Sequence, residues 1–288
     1  MSQPVTIENE HLKLAVWPQF GGKIASAIDK ADGFELLYNI PEELPTRCQY
    51  DMAYDMAFSS GWDECFPAVA AGPYPLHPYQ GVPVPDHGEL WPLPTTAVPT
   101  LNGITTVWHG LRFGYRLTRK LYLDGPTIRA EYTLINLAPF DFRFLWSPSL
   151  LLSTLSPIEL NLSDAPMAGG FLWPQIDAGT RFTTFDALPP GQSWSLLSDA
   201  PLSTPAGVRY PARGRRLLIA YDSADSVAAW WAVLLDTGLL AGSRYVSVAP
   251  ITARAESIKE AVDLDTAATV KASGRITWSM QLAVEADG

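Results

Sequence analysis

The sequence predicts an all-β fold of antiparallel strands, in a single domain spanning residues 1–288. Three observations carry that prediction. Apolar and polar residues alternate with period two in segment after segment, helical periodicity is scarce, and the 25 prolines and 21 glycines fall mostly between the apolar runs. No linker, low-complexity tract or fixed-period repeat divides the chain, and 288 residues with 47% hydrophobic content can bury a sizeable core.

The elements follow in order. Residues 12–16 read as a short strand. The stretch 66–96 is so rich in proline that it reads as ordered loop, because proline cannot donate to a central ladder. Phe113, Tyr115 and Leu117 alternate with Gly114, Arg116 and Thr118; Asp124-Gly125-Pro126 breaks the chain; Ile128, Ala130, Tyr132 and Leu134 then alternate with polar neighbours. This is the pattern of two antiparallel strands joined by a turn. Residues 216–221 form a further strand, residues 256–262 a short helix with Glu256 in its first turn, and Trp278, Met280, Leu282 and Val284 one face of a closing strand.

Composition excludes several functions. The formal net charge is −10 and no Lys/Arg run could form a phosphate-binding stripe, so neither nucleic acid nor an anionic membrane surface is expected as a partner. Cys48 and Cys65 are the two thiols, too few for a disulfide framework and at no zinc spacing; no metal site is expected. Residues 1–10 lack the basic and apolar regions of a signal peptide, and no apolar run is long enough to span a bilayer. A soluble, cytoplasmic protein is the expectation.

Chemistry concentrates in two stretches. Gly61-Trp62-Asp63-Glu64-Cys65-Phe66-Pro67 and Pro85-Asp86-His87-Gly88-Glu89-Leu90-Trp91 bring together four carboxylates, one imidazole and two indoles. Carboxylate and imidazole can move protons, and indole faces can stack on a sugar ring. The plainer alternative is a loop of solvated acids and core aromatics. Arg47 could grip sugar hydroxyls or a phosphate, or pair with Asp51 or Asp55. Trp230 and Trp231 are neighbours on a strand and point to opposite faces; Trp231 is the one expected at a cleft, with Arg254 at its border. No Gly-x-Ser-x-Gly elbow is present.

Together these landmarks resemble the galactose mutarotase-like superfamily, specifically the aldose 1-epimerase-related proteins. The similar segments are Phe20-Gly21-Gly22-Lys23-Ile24 with Asp32 to Leu37, then residues 62–67, 86–91, 136–146, 250–261 and 274–278, in the family's order over nearly the whole chain. The resemblance implies a large antiparallel β-supersandwich with few short helices and a sugar site in a cleft. It also implies an isomerase of carbohydrate metabolism, in which a carboxylate base takes the C1 hydroxyl proton while a histidine protonates the ring oxygen. No cofactor is implied, since the chemistry is proton transfer. Carried over, His87 and Glu64 are the catalytic candidates. Arg47, Trp62, Asp63, Asp86, Glu89, Trp91, Trp231 and Arg254 are the candidates for binding a monosaccharide or sugar derivative.

The chain departs from the family at two positions. His87 matches the first histidine, but Ser149 stands where the second is usual, and Ala249 stands where the glutamate base is usual. No nearby shift restores either, because no His occurs after His109 and no acid lies between Asp236 and Glu256. Three readings stay open: a sugar-binding or sensing protein without catalysis; a related reaction with Asp63, Glu64, Asp86 or Glu89 as base and His87 as acid; or Glu256 folded back to replace the missing glutamate. A lyase-like or hydrolase activity is a weaker alternative that no residue specifies.

Overall fold

A computed structural model describes residues 3–39, 48–56, 60–162, 167–169, 185–240 and 242–287. Strands dominate, and they pair antiparallel. Among the described residues the larger sheet has ten strands. Its order is Val5–Glu8, Leu12–Trp17, Lys23–Asp29, Trp62–Cys65, Ser147–Leu152, Arg244–Ile251, Trp230–Thr237, Ser193–Ser198 and Met167–Gly169, with Phe34–Glu35 beside Lys23–Asp29. The eight-stranded sheet runs Glu159–Asn161, Ala206–Tyr210, Arg215–Asp222, Arg275–Ala286, Thr127–Asn136, Tyr115–Asp124, Gly103–His109 and Thr96–Pro99.

The central hairpin shows why these residues make this fold. Tyr115–Asp124 and Thr127–Asn136 pair in unbroken register from Tyr115 opposite Asn136 to Asp124 opposite Thr127. That leaves only Gly125 and Pro126 as the loop, and Gly125 takes a φ of 54°, which suits a two-residue hairpin turn. Along both strands buried and exposed positions alternate as the sequence predicts.

The inward rows of the two sheets meet in one continuous apolar cluster. Leu117, Tyr132, Leu134 and Trp278 enter it from the smaller sheet; Val16, Trp62, Leu150, Val233 and Val248 enter it from the larger. Full burial of side chains of this size stabilises by about 1.5–3 kcal/mol each. The architecture is the antiparallel β-supersandwich expected.

Among the described residues helix is confined to short pieces. The α-helix Ile258–Asp263 is capped by Ser257, whose Oγ accepts from the Glu260 N–H (3.2 Å). It starts two residues later than the sequence pattern suggests, so Glu256 precedes the cap and does not lie in the first turn. The proline-rich stretch is ordered loop with one short ladder, Gly72–Pro73 against Pro83–Val84. Among the described residues no helix is long and apolar enough to cross a membrane.

Candidate functional site

The larger sheet carries the site on the face turned away from the core. Period-two alternation sorts each strand. Leu150 and Leu152, Val246 and Val248, and Val233 and Leu235 enter the core cluster. Their neighbours Ser147, Ser149 and Leu151, Ser247 and Ala249, and Ala232 and Leu234 line a cavity of about 200 Å³, joined by Ser195 and Cys65. The register puts Ala232 opposite Ala249, and Leu234 opposite both Ser195 and Ser247. Small side chains leave the room, and four serine hydroxyls leave the floor able to donate and accept.

Two loops supply the groups that can move protons. The turn Pro85–Gly88 is closed by the Gly88 N–H donating to the Pro85 carbonyl (2.9 Å), and His87 sits in it with φ 57°. Gly88 must be glycine: a Cβ there would fall 2.1 Å from the Phe66 carbonyl oxygen, against which this loop is bridged. Glu256 enters from the loop before the helix, and its Oε1 accepts from Ser195 Oγ (2.7 Å). Val69 ties the two loops together. Its N–H donates to the Glu256 carbonyl (3.0 Å), and its own carbonyl accepts from the His87 N–H (2.7 Å). His87 and Glu256 therefore both line the 200 Å³ cavity, each one backbone hydrogen bond from the same residue.

The imidazole is held from two sides. Nδ1 lies 2.9 Å from Asp86 Oδ1, and the Tyr54 ring stacks on it at 4.0 Å between centroids. Burial opposes ionisation of Asp86, but the His87 hydrogen bond and the backbone N–H groups of Tyr54 and His87 outweigh it, so its carboxyl lies below the usual carboxylate range. An ionised carboxylate only accepts, so Nδ1 carries a proton and Nε2 is left for a second partner. Tyr54 is itself anchored: its hydroxyl donates to Asp63 Oδ2 (2.8 Å) and lies 3.1 Å from Ser149 Oγ. Burial, then the Asp63 charge, keeps this phenol well above its usual range and hence protonated.

The structure distributes the sequence-predicted residues unevenly. His87 lines the cavity, and Asp86 lines an adjoining one. Asp63 faces the cavity side, opposite Ser149 in the register, but lies beneath Tyr54 and is paired with buried Lys23. Glu64 points the other way, into the core. There it pairs with Arg119 (2.9 Å) and accepts from Tyr132 Oη and Trp146 Nε1 (both 2.8 Å), all without solvent exposure. The core side also takes Trp62 and Trp231; Trp230 lies on the outer face opposite Ile251 and is buried there, and neither indole of that pair lines the cavity.

Glu89 is fully buried, accepting from Tyr50 and Tyr115 hydroxyls and from the Leu111 and Arg112 N–H groups. Trp91 buttresses the His87 turn by donating to the Asp86 carbonyl (2.9 Å) and meeting Tyr54 edge-on. Arg254 is an exposed partner of Asp199 (2.7 Å). Arg47 lies outside the described residues.

Cys65 lines the cavity, but burial, then the charges of Asp63 and Glu64, pushes its thiol well above the usual range, which suppresses the thiolate. Among the described residues no group of three His, Cys, Asp or Glu side chains is placed to hold a metal ion. The serine floor was missed from the sequence, though its signal is visible as hydroxyl or small residues at alternate positions, 147 and 149, then 247 and 249.

Two facing antiparallel sheets with a cavity on the outer face of the larger one define the class of protein. Comparison with solved structures places it more closely. Over 99% of its length the chain superposes on 97% of Slr1438 from Synechocystis sp. PCC 6803, with TM-score 0.75 and 15% identity. A galactose mutarotase-like protein from Clostridium acetobutylicum matches over 98% of this chain and 94% of its own, with TM-score 0.73 and 11% identity. A galactose mutarotase related enzyme from Lactobacillus acidophilus matches over 99% and 98%, with TM-score 0.71 and 10% identity. The chain thus has the galactose mutarotase-like fold. Residues 2–79 also match the model of a domain of unknown function, DUF5107. No curated protein matches the chain.

Proposed function

We propose that the protein binds a monosaccharide or sugar derivative in the serine-floored cavity and interconverts its anomers, as an aldose 1-epimerase does. The observation that carries this reading is that a carboxylate, Glu256, and an imidazole, His87, line one cavity although Ala249 and Ser149 occupy the positions where the resemblance implies a base and a second histidine. Glu256 takes the proton of the C1 hydroxyl as the imidazolium of His87 gives one from Nε2 to the ring oxygen. The C1–O5 bond breaks and C1 becomes an aldehyde. Rotation about C1–C2 and reversal of both transfers closes the other anomer. One proton enters and one leaves in each direction, so no cofactor is required. Asp86 and Tyr54 orient the imidazole, and Ser195 fixes the carboxylate.

The test is anomer exchange in a panel of free aldoses by NMR, with wild type, His87→Ala and Glu256→Gln. Acceleration over buffer that is lost in both variants supports the reading. Acceleration that survives in Glu256→Gln removes Glu256 as the base. A second reading, a sugar-binding protein without catalysis, is favoured by Ala249 and Ser149 on the floor; saturable binding with no acceleration establishes it.

A further inference from the structure

The 200 Å³ cavity is smaller than the roughly 300–1,000 Å³ usual for small-molecule sites, and it does not end at His87 and Glu256. On their far side a second cavity of about 470 Å³ opens, sharing Val69, His87 and Glu256 with the first. Its remaining wall comes from Ala70 to Pro73, Asp86 and the start of the helix, Ser257 to Glu260. The proton-moving pair therefore lies at the junction of two chambers. A free monosaccharide at the serine floor leaves the larger chamber unfilled.

Charge restricts what the second chamber accepts. Asp86, Glu256 and Glu260 line it; the lysine there, Lys259, has its ammonium paired with Asp263, and the His87 imidazole is held by Asp86. No arginine among the described residues lines either chamber. A phosphate dianion placed there meets carboxylates without the guanidinium fork that such groups favour. Ala70, Ala71 and Pro73 offer apolar surface, and Gly72 keeps the wall low. This suits a neutral ring with an apolar face.

Resting on the reading of the site as a sugar site, we propose that its substrate is an unphosphorylated reducing disaccharide whose second ring is joined at C2 or C6 of the reducing ring. The reducing ring sits on the serine floor and the second ring occupies the chamber between Gly72 and Glu260. The catalytic pair at the junction then holds C1 and O5 of the first ring there, so the second ring leaves from C2 or C6 beside them and supplies binding energy remote from the reacting bonds.

The experiment measures binding by saturation-transfer NMR and anomer exchange for glucose, galactose, their 6-phosphates, and the 1→2- and 1→6-linked disaccharides sophorose, isomaltose and melibiose. At least one disaccharide is expected to exceed its component monosaccharides at least tenfold in affinity or kcat/KM, and each 6-phosphate to fall at least tenfold below its parent. Gly72→Trp fills the second chamber; a Cβ at Gly72 meets nothing within 4 Å and its φ is not positive, so the backbone tolerates it. This variant is expected to abolish the disaccharide-to-monosaccharide ratio. Disaccharide binding without exchange upholds the two-chamber inference and removes only the catalytic reading. Exchange of monosaccharides with no disaccharide advantage in wild type overturns the inference and leaves the catalytic reading intact. A 6-phosphate preference overturns it as well, and no binding of any sugar overturns both. The wild-type comparison decides even if Gly72→Trp fails to fold.

Discussion

Two carboxylates on opposite sides of the larger sheet, Glu64 and Glu256, are treated in opposite ways. On the inner face Glu64 is enclosed by Arg119, Tyr132 and Trp146, and its acceptor positions are occupied by groups of the protein itself. On the outer face Glu256 is half-buried, receives one hydroxyl from Ser195, and borders two cavities. A carboxylate surrounded by its own donors holds strands together; one with acceptor capacity left over and open space before it can meet a ligand. Acidity in the sequence does not separate these fates. The direction of the strand residue and the packing around it do.

Breaking the inner network should give the largest effect. Glu64→Gln leaves the Arg119 guanidinium buried without its counter-charge and is expected to cost about 3–5 kcal/mol of stability in chemical denaturation. If this variant instead keeps its stability and loses anomer exchange, the contrast between the two faces is reversed.

The outer face should show the opposite signature. Glu256→Gln is expected to slow anomer exchange by about 10²-fold or more, equivalent to about 2.7 kcal/mol in the barrier. Its stability should stay within about 1 kcal/mol of wild type, because the amide oxygen still accepts from Ser195.

Tyr54 joins the two kinds of site, since its ring steadies His87 and its hydroxyl serves buried Asp63. Tyr54→Phe keeps the ring and removes the hydroxyl, so a loss of about 1–3 kcal/mol is expected by thermal or chemical melting. If the stack alone orients His87, kcat and KM both change little; a large kcat loss would show that the Ser149–Tyr54–Asp63 chain takes part in orienting the acid.

The smallest effect is the pH dependence of Asp86. Its folded-state carboxyl titrates below the unfolded value of about 3.9, so the unfolded chain binds the proton first. The stabilisation is present above that value and is lost as pH falls through the folded one. Stability below about pH 4 should therefore fall more gently in Asp86→Asn than in wild type; equal slopes would show that the His87 pairing does not stabilise the fold.

Much of the architecture was legible because it depends on local period. The alternation at 113–118 and 128–135, with Gly125-Pro126 between, specifies a hairpin and its register at once. That His87 lies in ordered loop was legible too, from the prolines around it; the turn in which Gly88 passes the Phe66 carbonyl was not, because Phe66 meets it only through the fold. The base was less so. Trp62-Asp63-Glu64-Cys65 reads as a cluster of candidates, yet a strand sends Asp63 and Cys65 to one face and Trp62 and Glu64 to the other. Which of those faces is the core depends on the second sheet, contributed by residues far along the chain. Trp231 and Glu89 met the same fate: both are buried, Trp231 in the shared core and Glu89 among its own donors.

By itself the sequence determined the strands, their turns, the antiparallel class and the presence of an imidazole in an ordered loop, because side-chain period and backbone sterics act over a few residues. Only the tertiary structure decided which face of each strand is buried, that Ser147, Ser149, Ser195 and Ser247 make one floor, and that Glu256 comes to the cavity of His87. Those are contacts between segments separated by tens to more than a hundred residues, and they are set by how two sheets close over a common core.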